Sequence, residues 1–137
     1  MSRSVIYTSN TSEQTVSDGG VISPGTIIRR YGCNCQLNGN AFLLNGTGYY
    51  TISANVTFSP TETGTYSLKV QQDGKDISGA VTSTTIVTAE TGSSVSLNLS
   101  DIVARVFCCM DSTSNITIVL SGGAATIINF SASIHKD

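Results

Sequence analysis

Alternation of apolar and polar residues is the main periodic signal in this chain, and residues 49–58 show it most clearly. Every second side chain of this segment is apolar, and its other side chains are polar except for Tyr49; the apolar set is Tyr50, Ile52, Ala54, Val56 and Phe58. Because successive side chains of a β-strand point to opposite faces, the pattern predicts a strand with one buried face. No segment shows the sustained 3.6-residue apolar period of an amphipathic helix.

The same alternation predicts further strands over 66–70, 77–87, 95–99, 116–120 and 127–134. The dipeptide Asp73-Gly74 is typical of a type I′ turn, in which both central residues need positive φ, and it predicts a hairpin. A strand that continues from 95–99 into 102–109 requires a β-bulge near Ser100 and Asp101. Without the bulge, Arg105 would share the face of Leu97.

Shorter candidate strands lie upstream at 5–8, 21–28, 33–37 and 42–44, so that the chain contains about nine or ten strands and no helix. This pattern predicts an all-β fold, an antiparallel two-sheet sandwich, in a single domain of 137 residues. We expect residues 1–30 to form an N-terminal arm and the first strands, and 31–137 to form the main sandwich. The predicted core comprises Tyr50, Ile52, Val56, Phe58, Leu68, Val70, Ile118, Leu120, Ile128 and Phe130.

Charged residues make up only 12% of the chain and its net charge is −2, with no basic run. Nucleic-acid binding is therefore not expected, because it depends on clustered Lys and Arg. No apolar run is long enough to span a bilayer. The first residues also lack the apolar stretch of a secretion signal, which favours folding in the cytosol.

The sequence shows no catalytic signature, and the chain is predicted not to be an enzyme. His135 is its only histidine, no G-x-S-x-G motif supplies a nucleophile, and the carboxylates are scattered. The four cysteines form two close pairs, Cys33 with Cys35 and Cys108 with Cys109. Buried free thiols are favoured over a zinc site or a cross-link between the pairs, because vicinal cysteines on a strand point apart. We expect no metal and no cofactor.

The strand faces opposite the predicted core carry almost no charge. They present Tyr49, Thr51, Ser53 and Asn55 on one strand, and Ile127, Asn129 and Ser131 on the other. Since a solvated strand face usually carries Lys or Glu, these residues are predicted to form an interface between subunits. The alternative is a face of Ser and Thr that reflects β-propensity alone.

The order of these motifs resembles the jelly roll shared by the tumour necrosis factor and complement globular-head domains. GYYTISANV at 48–56 resembles the family's G-x-Y-x-[IV]-x-[AY]-x-[VI] strand, and YSLKV at 66–70 followed by DGK at 73–75 resembles its next hairpin. LSDIV at 99–103 is similar to its L-x-x-G-D-x-V segment, with one residue fewer and Ser in place of Gly. Residues 126–134 resemble its closing strand, which lies at the centre of the family's trimer.

The resemblance implies a tumour necrosis factor-like jelly roll that forms a homotrimer and has no enzymatic activity. Within the superfamily, the chain is most similar to exosporium-glycoprotein heads of spore-forming bacteria and to phage virion proteins. The expected role is structural: a capsid decoration protein, head fibre or fibre tip on a virion surface, assembled in the bacterial cytoplasm with capsid or tail proteins as partners. The alternative is a carbohydrate- or receptor-binding adhesion module, with ligand loops that present Tyr31, Asn34, Asn38, Asn40 and Asp111.

Overall fold

The computed structural model describes residues 4–87, 94–106 and 113–136, and these residues form β-strands joined by turns. This confirms the all-β prediction, although the described residues contain twelve strands rather than about nine or ten. The strands are β1 (Ser4–Asn10), β2 (Gln14–Val16), β3 (Gly20–Val21), β4 (Thr26–Tyr31), β5 (Cys35–Asn38), β6 (Ala41–Asn45), β7 (Gly48–Pro60), β8 (Gly64–Gln72), β9 (Lys75–Ile86), β10 (Val95–Val106), β11 (Thr113–Ser121) and β12 (Ala125–Lys136).

The strands form two antiparallel sheets that pack face to face. The first sheet has the order β10-β7-β12-β1-β4, and β2 pairs with β12 beside it. The second sheet has the order β5-β6-β11-β8-β9, and β3 pairs with β11. The predicted two-sheet jelly roll is therefore confirmed. In the described ranges, no helix is long and apolar enough to cross a membrane.

The core lies between the two sheets and is built from the alternate side chains that the sequence pattern selected. Nine of the ten predicted core residues are buried. The rings of Phe58 and Tyr66, which come from opposite sheets, lie 5.3 Å apart between centroids and are tilted by 37°. Tyr66 keeps its hydroxyl satisfied by donating to the carbonyl oxygen of Ala124 at 2.7 Å, as a buried tyrosine requires.

Ile128 is the exception, because β12 contains a bulge that strict alternation did not predict. The pairing with β7 shifts between Ile127 and Asn129, since Ile127 faces Phe58 while Asn129 faces Thr57. The extra residue reverses the order of the faces at this point. Ile127 is 0% exposed and Ile128 is 37% exposed, so the placing of Ile127 on the outer face and of Ile128 in the core was wrong.

Two other local predictions are confirmed. The pairing of β10 with β7 shifts between Leu99 and Ile102, where Asp101 has a φ of 57°. This is the predicted bulge, and it leaves Arg105 exposed rather than on the buried side with Leu97. The Asp73-Gly74 turn joins β8 to β9 with φ angles of 53° and 83°, as a type I′ turn requires.

The predicted strand over 21–28 is instead divided between the two sheets. Pro24-Gly25 separates β3, which pairs with β11 in the second sheet, from β4, which pairs with β1 in the first. Proline interrupts a strand ladder because it has no N–H group to donate. β4 becomes an edge strand, and all six of its residues are exposed.

Candidate functional site

The candidate site is the solvent-facing side of the first sheet, here called the outer face. Its central part consists of three rows of neighbouring residues on adjacent strands, and all of them are small or medium-sized and uncharged. In register, the rows are Ser53 with Ser133, Asn55 between Asn98 and Ser131, and Thr57 between Ser96 and Asn129. A surface of this kind has no charge that would have to be desolvated on contact with a partner.

Charged side chains lie at the margins of this face in the strands that the structure describes. Asp101 and Arg105 belong to the edge strand β10, and Arg29 belongs to the opposite edge strand β4. The guanidinium of Arg105 lies over the ring of Tyr49, 5.6 Å from its centroid, in cation–π geometry. Arg105 and Tyr49 thus form a preorganised aromatic surface at one corner of the outer face.

Six of the seven predicted interface residues lie together on this face: Tyr49, Thr51, Ser53, Asn55, Asn129 and Ser131. Ile127 does not, because the β12 bulge turns it into the core. Ile128 replaces it as the apolar residue on the exposed side. The geometry therefore assembles most of the predicted set, and their role as an interface stays a prediction.

A shallow concavity of about 110 Å³ lies in the middle of the outer face. Residues from four strands line it, and those with polar side chains are Tyr7, Ser53, Asn55, Asn98, Ser131 and Ser133. Tyr7 and Asn98 were absent from the predicted set. Asn98 follows directly from the alternation over 95–99, whereas Tyr7 becomes part of the site only because β1 pairs with β12 across a long sequence separation.

Exposed large apolar side chains are concentrated on the first sheet. Seven belong to its strands: Tyr7, Ile27, Ile28, Tyr31, Tyr49, Val103 and Ile128. Three belong elsewhere in the described residues: Val21, Val81 and Val87. Single exposed apolar residues are normal, but a concentration on one sheet of a small protein is typical of an interaction surface.

The predicted ligand-loop residues are not gathered into one site. Asn34 is part of the fold, because its Nδ2 donates to the carbonyl oxygen of Asn45 at 2.6 Å and its Oδ1 accepts from the hydroxyl of Ser4 at 2.7 Å. Its side chain therefore has a structural role, and its role as a ligand residue stays a prediction. Tyr31 is 68% exposed at the end of β4. Asn38 and Asn40 are exposed at the far end of β5, around the turn to β6, so they are separated from Tyr31. Asp111 lies outside the described residues.

The cysteines do not share a strand face. β5 begins only at Cys35, which is 1% exposed, whereas Cys33 precedes it in an exposed loop. Burial raises the pKa of the Cys35 thiol to about 11, against the opposing charges of Arg30 and Lys136. Both thiols are free; Cys35 is buried as expected, whereas the expected burial of Cys33 is wrong. Cys108 and Cys109 lie outside the described residues.

Tyr50 is the other group with a perturbed acidity. Burial raises the pKa of its hydroxyl to about 12, and the neighbouring Cys35 adds to the effect while a hydrogen bond with Asn34 opposes it. The hydroxyl donates to the carbonyl oxygens of Asn45 and Gly46 at 3.1 and 2.7 Å. Tyr50 therefore holds the β6–β7 turn and acts as a structural residue.

Proteins similar to this chain are found among solved structures. No family model and no curated protein matches the chain in sequence. Among solved structures, murine APRIL at pH 8.5 superposes with a TM-score of 0.70 and 16% identity over 97% of this chain and 98% of its own. The globular domain of zebrafish complement 1qA protein gives 0.56 and 10% identity over 93% and 94% of the two chains.

Vertex protein P5 of phage PRD1 superposes with a TM-score of 0.54 and 17% identity over 95% of both chains. At these identities the likeness concerns the fold. The chain therefore has the jelly-roll fold of the tumour necrosis factor and complement globular-head proteins, as the order of its strand motifs predicted.

Proposed function

We propose that this protein is a non-enzymatic structural module that forms a homotrimer through its outer face and is displayed on a phage virion surface. Its place there would be that of a capsid decoration protein, a head fibre or a fibre tip. The observation that carries the proposal is the uncharged centre of the outer face, where three rows of Ser, Thr and Asn residues lie beside the exposed apolar residues Tyr7, Tyr49 and Ile128. The fold shared with a phage vertex protein supports the virion location.

A closed trimer offers a physical explanation for the composition of this face. When three copies of the face turn toward one axis, their Ser and Asn side chains can exchange hydrogen bonds without burying a charge. The exposed apolar residues Tyr7, Tyr49 and Ile128 would be removed from water at the same time. A closed cyclic assembly also limits itself to a fixed number of copies.

A carbohydrate- or receptor-binding role is the second candidate. It is favoured by Tyr31, whose ring is 68% exposed at the end of an edge strand where no packing requirement keeps it. Tyrosine combines an apolar face with a hydroxyl and is common where proteins contact ligands. A glycan array with the purified protein tests this role.

Light scattering tests the trimer. The wild-type protein is expected to have the mass of three chains of 14.3 kDa each. Ser53→Lys should dissociate it, because three ammonium groups would converge in a poorly solvated place. Lys69→Glu is the control, since Lys69 lies on the second sheet in an exposed pair with Asp76. A monomeric wild type at micromolar concentration, or a trimeric Ser53→Lys variant, would contradict the proposal.

The virion location is tested separately. Mass spectrometry of purified phage particles from the source strain should detect the chain in a multiple of three copies per site of attachment. Detection only in the host cytoplasm would refute the location while leaving the trimer intact.

A further inference from the structure

Among the described residues, charge is segregated between the two ends of the first sheet. At the end where β4 and β12 finish lie Arg29, Arg30, Arg105 and Lys136, which we call the basic end. The turns at the opposite end carry Glu13, Asp18 and Glu62. With only seven Lys and Arg residues in the whole chain and a net charge of −2, four on one end is a marked concentration.

Ion pairing between described residues does not account for Arg29, Arg30 and Lys136. The ion pair found in the described residues joins Lys69 to Asp76 at 3.9 Å on the second sheet. Within the same residues Arg29, Arg30 and Lys136 form no ion pair, and a guanidinium nitrogen of Arg29 donates only to the adjacent carbonyl oxygen of Ile28. Clustered like charges repel one another and lower the stability of the free protein. Their concentration here therefore points to an anionic partner.

Arg30 and Lys136 are the two cations that a trimer would leave accessible. Arg30 is paired in register with Ile6, and Lys136 with Ser4 on the same strand β1. Since Ile6 and Ser4 are buried, both cations extend from the inner side of the sheet, away from the outer face. The positive charges of both oppose the rise in the pKa of the buried Cys35 thiol at the start of β5, which agrees with their position on this side of the sheet.

We propose that the basic end binds an acidic polysaccharide through sulfate or phosphate groups on its sugar units, held by Arg30 and Lys136. Arginine presents a planar fork of N–H donors that matches such oxyanions, and lysine adds a point charge. Tyr31 follows Arg30 on the edge strand β4 and points to the opposite side, so a polymer that crosses this edge would meet its exposed ring as an apolar face for a sugar. A nucleic acid would require a continuous basic track along its closely spaced phosphates, which two cations and a net charge of −2 do not supply.

The experiment measures binding of the wild-type protein to heparin, to a phosphorylated dextran and to neutral dextran by calorimetry at low salt. Wild type should bind at least one of the two charged polymers, and the stronger of them identifies the group. Arg30→Gln/Lys136→Gln should weaken that binding by about tenfold or more and reduce the slope of log K against log salt by about two. The matched control, Lys69→Gln/Lys75→Gln, removes the same charge from the second sheet and should bind as wild type does.

Equal affinity of the Arg30→Gln/Lys136→Gln variant and wild type would overturn the proposal, as would equal binding of neutral dextran. Tighter binding of a single-stranded (dT)20 oligonucleotide would overturn the class of ligand. A measurement on the wild type alone keeps the test independent of how the variant folds, because bound polymer should protect Lys136 from reductive methylation while Lys69 still reacts. Light scattering separates this inference from the proposed trimer, since a monomer that still binds through Arg30 and Lys136 would refute the trimer only.

Discussion

The adjacent residues Ile127 and Ile128 offer a direct test of the bulge that shapes the outer face. Ile127 is 0% exposed and faces Phe58, which is also fully buried, so Ile127→Ala leaves a cavity in the core. Such a truncation costs about 2–5 kcal/mol. Ile128 is 37% exposed, and its surroundings can be refilled by water. Ile128→Ala should therefore cost about 1 kcal/mol or less in the subunit.

Urea unfolding followed by circular dichroism measures both variants against wild type. The midpoints should separate clearly, with Ile127→Ala far below the other two proteins and with similar slopes m for all three. Each curve should be recorded at two protein concentrations, because the stability of an oligomer depends on protomer concentration. If the outer face is an interface, the loss in Ile128→Ala should shrink on dilution, because the wild type then also loses the stability that assembly adds.

Equal costs for the two variants, or a larger cost for Ile128→Ala, would refute the bulge. Strict alternation along β12 would then apply and would place Ile128 in the core. Ile127→Val serves as a graded control, since loss of one methylene at a buried site costs about 0.5–1.5 kcal/mol.

The remaining predictions concern the β8–β9 hairpin, the cysteine thiols and the buried hydroxyl of Tyr50. The carboxylate of Asp73 accepts hydrogen bonds from the hydroxyl of Ser114 and the amide of Asn115, both at 2.9 Å, so Asp73→Ala should cost about 1–3 kcal/mol in urea unfolding. Iodoacetamide at about pH 8 should modify exposed Cys33 and spare Cys35, whose thiol stays protonated below its pKa of about 11; tandem mass spectrometry distinguishes the two. Stability should be retained below about pH 9 and should fall as the pH rises toward 12, because the unfolded chain releases the Cys35 and Tyr50 protons at lower pH than the folded protein does. Unfolding curves at about pH 8 and pH 10.5 test this, and an unchanged midpoint would contradict it.

The sequence was sufficient for most of the core, because burial on one side of a sheet imposes a period of two on the side chains. Along β7, every side chain from Tyr50 to Phe58 lies on the side that alternation assigns to it. The turn at Asp73-Gly74 was also predictable, since positive φ at two successive positions is open to few residue pairs. The bulge in β10 followed from a charge conflict at Arg105 that alternation alone would have created.

The bulge in β12 had no comparable signal. Ile127 and Ile128 are identical in type, so a slip by one residue changes neither the polarity nor the volume offered to the core. Only the pairing with β7 shows which of the two faces Phe58. The split of residues 21–28 between two sheets was equally hidden, because Pro24 predicts an interruption but not the destination of the strand that follows it.

The candidate site shows the same division. Residues that share a strand, such as Ser53 and Asn55, could be placed on one face from local spacing alone. The position of Tyr7 and Asn98 at the two sides of the concavity depends on which strands become neighbours. The same holds for Arg30 and Lys136, which lie on strands that both pair with β1. Strand neighbours are chosen by packing between residues far apart in the chain, which no local pattern records. The sequence by itself therefore determined the strands, their buried faces and the fold class, and the tertiary structure alone decided which surfaces those strands assemble.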